Sequence, residues 1–203
     1  MRIFVAGATG VIGRRLVPLL ISGGHQVAAM TRSPDKAGPL REMGAHPVVC
    51  DVFDADRLRS EVAAARPDLV VHQLTDLPDE ADRIPLHADR HARIRTEGTA
   101  NLLAAASSAG ADRVIAQSVA WTLPGAAGAA VASLERQVLD YPGIVVRYGQ
   151  FYGPGTYHVD SPPPEPRIQI DAAAEQTVEL LSILPPAVVT IVDVVRNDDA
   201  PGG

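Results

Sequence analysis

Apolar residues come along this chain in short solid blocks, and the stretches between the blocks repeat apolar positions at helical spacing. Ile3–Ala6 is an apolar run ending at a glycine, and Val11–Ser22 is a helical pattern closed by Gly23 and Gly24. Solid runs predict strands covered on both faces, and a glycine just past a periodic segment predicts a helix stop. By the same reading Val27–Thr31 is a second strand, followed by a helix through Leu40 and Met43 that Gly44 ends. Pro47–Cys50 is a third strand, and Asp54 caps a helix running to about Ala65. Leu69–Leu74 is a fourth strand, and a long helix carrying Leu102, Leu103 and Ala106 ends near Ala109. Arg113–Gln117, a helix over Ala129–Leu139 and Ile144–Tyr148 complete the series. This alternation predicts a doubly wound α/β fold: a parallel sheet flanked by helices, with right-handed crossovers.

The pattern changes after Gly149. Gly153-Pro154-Gly155 and the proline run from Pro162 to Pro166 exclude helix and central strand. Asp171 then reads as the cap of a helix whose Ala173, Thr177, Leu180 and Leu184 share one face, and Val188–Val192 as a last strand. The expected organisation is one domain, with residues 1–149 as its core, 150–195 as a reduced substrate-side region and 196–203 as a disordered tail.

Composition narrows the partners. The 203 residues carry a net charge of −6 and no cationic run, so a phosphate backbone is an unsuitable partner and no nucleic acid is expected. Cys50 is the single cysteine, which excludes an internal disulfide. The opening Met-Arg-Ile-Phe-Val-Ala-Gly reads as a buried strand rather than a leader, so a cytoplasmic chain without a membrane anchor is expected. His87 and His91 have the i, i+4 spacing of two ligands with Asp89 nearby, but no third histidine or cysteine completes the set, and no metal is expected.

The chemistry begins at Gly7-Ala8-Thr9-Gly10-Val11-Ile12-Gly13. Three glycines in this spacing, after a first strand and opening a first helix, form a dinucleotide-binding turn. Gly7 permits the tight turn, Gly10 lets a pyrophosphate reach the backbone, and Gly13 lets the helix lie close on the strand. The helix start supplies N–H groups and the positive end of its dipole. After the second strand the chain reads Thr31-Arg32-Ser33, with no acid to take ribose hydroxyls and an arginine suited to a 2′-phosphate. NADP(H) is therefore expected over NAD(H), with Arg32 otherwise a solvated loop residue.

With this turn, several segments resemble the NAD-dependent epimerase/dehydratase branch of the short-chain dehydrogenases/reductases. They are Asp51-Val52, Arg95-Thr-Glu-Gly-Thr-Ala-Asn-Leu-Leu103, Gln117-Ser118 and Arg147-Tyr-Gly-Gln-Phe-Tyr-Gly-Pro-Gly155, joined by Ile168–Asp171 and Thr190–Asp193. The resemblance implies a Rossmann fold, adenine at Asp51 and Val52, and ribose and nicotinamide beside His72, Gln73 and Leu74. It also implies a substrate-orienting Ser118 and a nicotinamide loop from Tyr148 through Gly149 to Gly155. The departures are sharper. The family's tyrosine and lysine fall on Ala130 and Leu134, its asparagine falls on Arg95, and no Tyr-x-x-x-Lys occurs anywhere in the chain. Alanine and leucine cannot exchange a proton.

The substitutes on offer are His72, Tyr148 and Tyr152, weighed against plain packing roles. Trp121 suits a substrate floor or a core, and Glu135 and Arg136 read as solvated. Three functions stay open: a reductase or epimerase-like enzyme on a small organic substrate, a non-catalytic dinucleotide sensor, and a non-redox cyclase or isomerase. A homodimer is compatible with each.

Overall fold

The computed structural model describes residues 1–194. Seven strands form its central sheet: β1 (Arg2–Ala6), β2 (Gln26–Thr31), β3 (His46–Val49), β4 (Leu69–His72), β5 (Arg113–Val119), β6 (Ile144–Tyr148) and β9 (Ala187–Ile191). They are all parallel and lie in the order β3-β2-β1-β4-β5-β6-β9. The order reverses between β1 and β4, and ligands of open α/β sheets bind at that switch point, outside the strand C-termini. The glycine turn follows β1 and lies there.

One face of the sheet is covered by α1 (Gly13–Ser22) and α7 (Ile170–Glu179), whose Leu16, Val17, Leu20 and Ala173 pack on Ile3, Val5, Ile115 and Val146. The opposite face is covered by α3 (Ala55–Ala65) and α5 (Thr99–Ser108), whose Leu58, Val62, Leu102 and Ala106 pack on Phe4, Val70 and Val114. A third cluster joins Ala116 and Val145 to Leu134 and Val138 of α6 (Gly125–Asp140). The two short helices are α2 (Ala37–Glu42) and α4 (Ala88–Arg93). Period-2 alternation along β5 sends Ala116 and Ser118 towards α6, and Ile115 and Gln117 the other way.

The structure corrects three expectations. The long helix ending near Ala109 is divided into α4, a π turn over Ile94–Gly98, and α5. There Thr99 Oγ1 donates to the Ile94 carbonyl five residues back, and Val52 packs so closely on Gly98 that a Cβ would come within 3.3 Å of it. Asp171 does not cap α7; Gln169 Oε1 accepts from the Asp171 and Ala172 amides at 2.6 and 2.8 Å. The Asp171 carboxylate is drawn away by Arg15, whose Nε lies 2.5 Å off. Leu184 leaves the α7 face because the helix ends at Glu179 and Pro185-Pro186 follows, which leaves Leu184 84% exposed. Flanking the segments excluded from helix and central strand, two short strands pair in parallel apart from the central sheet, β7 (Gln150–Tyr152) and β8 (Arg167–Gln169). The expected tail at 196–203 lies outside the described residues.

Candidate active site

The glycine turn is built by exclusion. Gly7 has φ +89°, and a Cβ there would lie 2.4 Å from the Gln73 carbonyl oxygen. At Gly13 a Cβ would stand 2.1 Å from the Gly7 oxygen. Gly10 differs: it is exposed, and a Cβ would meet nothing nearer than the Gly7 oxygen at 3.3 Å. Two glycines therefore shape the turn and the middle one leaves its outer surface open. No side chain caps α1; the Arg14 and Arg15 amides donate to the Gly10 and Ile12 carbonyls, which leaves the Val11, Ile12 and Gly13 amides ahead of them for an anion. Ala8 and Ile12 are buried beneath, and Val11 is half-buried beside them.

The walls of this mouth come from neighbouring strand ends. Thr9 and Thr31 hydroxyls lie 3.3 Å apart, and the Ser33 amide donates to Thr31 Oγ1. Arg32 is not a free loop residue: its Nη2 lies 2.9 Å from Asp76, which also receives Arg90. Asp76 is almost fully buried; burial opposes its ionisation, but the two guanidiniums outweigh it and hold its carboxyl below the usual range. Asp51 is exposed and accepts from the Phe53 amide, and the Val52 carbonyl accepts from Asn101. Segment 153–155 returns to the start of α1, where the Gly155 carbonyl accepts from Arg14.

Two of the three expected catalytic groups, His72 and Tyr148, have their protons engaged by buried partners, and the third, Tyr152, is only half-buried. His72 is wholly buried on the α5 side. Its Nδ1 accepts from the Leu74 amide at 3.2 Å, so Nε2 carries the hydrogen and donates to Thr99 Oγ1 at 3.0 Å. Burial pushes its pKa down to about 4. Tyr148 points into the opposite core, where its hydroxyl lies 2.7 Å from Thr177 Oγ1. Thr177 already donates to the Ala173 carbonyl, so Tyr148 gives its proton to Thr177 and accepts from Gln73 Nε2. Burial pushes its pKa up to about 12. Tyr152 is half-buried beside Asp193, and burial first, then that carboxylate, raises its pKa. Gly149 is needed for packing, since a Cβ would lie within 2.7 Å of the Arg167 backbone. A shallow cleft lined by Arg167, Gln176 and Asp193 contains none of the predicted site residues.

Ser118 alone keeps its predicted position, at the C-terminal end of β5, and it has acquired a partner. Its Oγ donates to Glu135 Oε1 at 2.6 Å. Arg147 grips the same carboxylate with Nε and Nη2 at 2.8 and 2.6 Å. Glu135 is thus not solvated, and Arg147, then Ser118, hold its carboxyl below the usual range against the opposing effect of burial. A charge inside the apolar strand Ile144–Tyr148 was the signal in the sequence, because such a charge needs a partner. The β5–β6 register sets Arg147 directly opposite Ser118. Arg95, on which the family's asparagine falls, sits half-buried on the π turn, and among the described residues no acid lies within ion-pair distance of it.

Residues 7–141 match the profile of a family described as NAD(P)H-binding. The chain belongs to the NAD(P)H-binding family. The fit is physical as well as statistical, given the open Gly10 and the uncapped α1. Gln73 Oε1 is also buried without a partner at the strand end that abuts Gly7. Among curated proteins, this family member is 44% identical over 180 residues to a 3-diazoavenalumate denitrifying reductase from Streptomyces sp., covering 77% of this chain and 58% of the relative. The chain thus spans under two thirds of that relative's length. It is also 30% identical over 115 residues to a 4-hydroxy-2-methyl-3-oxo-4-farnesyl-3,4-dihydroquinoline-1-oxide ketoreductase of Stigmatella aurantiaca, covering 57% of this chain and 32% of that protein. The fold matches UDP-glucose 4-epimerase of Thermotoga maritima with a TM-score of 0.77 at 17% identity, covering 95% of this chain and 77% of that one. The UDP-glucose 4-epimerase of Thermus thermophilus in complex with NAD gives 0.76 at 18% identity, covering 95% and 78%. Among the described residues no helix is long and apolar enough to cross a membrane, and no cluster of potential metal ligands occurs.

Proposed function

We propose that this chain is an NADPH-preferring reductase for a small, electron-poor organic substrate that accepts hydride without a proton from the protein. One observation carries this. Where the family's proton-transferring pair would stand, Ala130 and Leu134 are buried, Leu134 in a cluster with Ala116, Val138 and Val145. The protons of His72 and Tyr148 are committed elsewhere, as described above. Such a site still does what backbone can do: bind, orient and exclude water. The turn at residues 7–13 would hold the pyrophosphate, Asp51 and Val52 the adenine, and Arg32 and Ser33 the 2′-phosphate.

When bound, the reduced dinucleotide supplies a hydride. A ketone receiving it becomes an alkoxide and needs an acid, whose absence typically costs 10²–10⁴-fold in rate. An arenediazonium needs none: Ar–N₂⁺ and H⁻ give Ar–H and N₂, with charge and atoms balanced. The Streptomyces relative is named for denitrifying a diazo compound, which makes an aryl diazo group the leading substrate type.

The test mixes the protein with NADPH and benzenediazonium, and in parallel with acetophenone. Benzene should form in step with NADPH oxidation, while acetophenone is reduced at least about a hundredfold more slowly. Brisk acetophenone reduction, or no enzymatic loss of the diazonium, would overturn the reading.

A further inference from the structure

We infer that Ser118 acts as a hydrogen-bond acceptor, fixed in that role by Glu135 and Arg147, so that the site selects a substrate whose reacting end is cationic or bears N–H rather than a carbonyl oxygen. The inference rests on the reductase reading above and sharpens its substrate class.

The geometry allows one assignment of the Ser118 proton. Glu135 Oε1 lies 2.6 Å from Oγ, and a carboxylate gripped by both Nε and Nη2 of Arg147 is ionised. An ionised carboxylate only accepts, so Ser118 must donate to it. Hydrogen bonds to a charged acceptor are short and roughly twice as strong as neutral ones, so a substrate oxygen does not win this proton back. What Ser118 has left is lone-pair density. Arg147 is held bidentately, which leaves Ser118 at the carboxylate end of a neutral pair.

Such an oxygen discriminates by charge. A carbonyl gaining hydride gathers negative charge on its own oxygen and needs a donor there; Ser118 offers the opposite. An amidinium, iminium or diazonium carries positive charge before the hydride arrives, and the Ser118 lone pairs stabilise it. Ser118 is then the residue touching substrate, and Glu135 and Arg147 are positioning residues acting through it.

The test uses two planar probes of like shape and opposite charge, benzamidinium and benzoate, titrated calorimetrically into the NADP⁺-loaded protein. Ser118→Ala should weaken benzamidinium about ten- to a hundredfold, the worth of a hydrogen bond to a charged group, and leave benzoate within about threefold. Glu135→Gln should turn its carbonyl to Arg147 and its amide to Ser118, freeing the serine proton; benzamidinium then weakens and benzoate tightens. Ser118→Thr keeps the hydroxyl and should restore benzamidinium binding, which a merely structural serine would not require. No benzamidinium binding to the unaltered protein, or a Ser118→Ala loss that falls equally on both probes, overturns the inference. Benzenediazonium turnover with benzamidinium indifferent to Ser118 would sink the inference and leave the reductase reading standing. Ser118-dependent benzamidinium binding without turnover would do the reverse.

Discussion

The glycine turn after β1 and the corner between β5 and α6 stand at the C-terminal edge of the same sheet, yet they obey different constraints. At the turn, function is carried by backbone, and each specifying residue is defined by what a side chain would collide with. At the corner, function is carried by side-chain chemistry on a scaffold that tolerates exchange. Ala130 and Leu134 pack there as comfortably as any core residues. A steric requirement is met only by glycine and is therefore visible; hydrogen-bonding groups can be exchanged, and at this corner Ser118, Glu135 and Arg147 hold one another.

The largest effect that sharpens this contrast is at Gly13. Gly13→Ala places a Cβ 2.1 Å from the Gly7 oxygen, and neither backbone segment can yield without lifting α1 off the sheet. A loss of about 2–4 kcal/mol in stability is expected, together with loss of dinucleotide binding. Gly10→Ala meets only one contact, at 3.3 Å. Its melting temperature without ligand should be nearly unchanged, while the rise produced by millimolar NADPH collapses. If both variants lost stability alike, Gly10 would be a structural glycine and the open surface of the turn would not be a binding surface.

The next effect concerns acid. His72 has its folded pKa lowered to about 4 from 6.5, so between those values the unfolded chain binds the proton that the folded chain refuses. The stability this neutral histidine confers is present above about pH 6.5 and is lost as pH falls towards 4, up to about 3 kcal/mol. His91, also lowered to about 4 by burial and by Arg95, adds a loss of the same sign. Denaturant midpoints taken from pH 7 to pH 4 should fall steeply, and less so in His72→Gln. An unchanged slope in that variant would mean that Nε2 is not sealed against Thr99 and that the histidine is open to the mouth after all.

Much of the fold was legible because parallel strands write themselves as solid apolar runs and helices stop at glycine. Leu184 was misread for a local reason, the proline pair behind it, and the other misreadings came where a side chain from far along the chain intervened. Asp171 has every local mark of a cap, and Arg15, 156 residues away, claims it. The long helix before Ala109 has no local reason to break, and its π turn answers packing by Val52. The site divided the same way. The turn could be read from spacing alone, and Ser118 from its place at a strand end. Glu135 required knowing which turn of α6 faces β5, although the charge of Arg147 in an apolar strand, opposite Ser118, pointed towards it. His72 and Tyr148 were misjudged because a strand end presents side chains alternately to two cores, and polarity alone does not reveal that each finds its partner inside.

The smallest effect tests cofactor choice, where turn and side chains meet. Arg32 reaches Asp76, but Asp76 is shared with Arg90, so removing Arg32 leaves that buried carboxylate still paired. The fold should therefore tolerate Arg32→Ala, since an exposed guanidinium contributes little to stability once its partner has another. Its charge is then free to serve a ligand. A 2′-phosphate approaching beyond Ser33 would draw Arg32 from Asp76 at little cost, because Arg90 remains to hold the acid. NADPH should bind more tightly than NADH to the unaltered protein, and Arg32→Ala should narrow the gap by about 1–2 kcal/mol, some five- to thirtyfold in Kd. Arg90→Ala should act in the same direction by withholding the arginine rather than removing it: with Asp76 left to Arg32 alone, the guanidinium is held back and NADPH affinity falls while NADH affinity is unmoved. Equal affinities for the two cofactors in the unaltered protein would make the Arg32–Asp76–Arg90 cluster a structural clasp between β2 and α4, with no part in reading the dinucleotide.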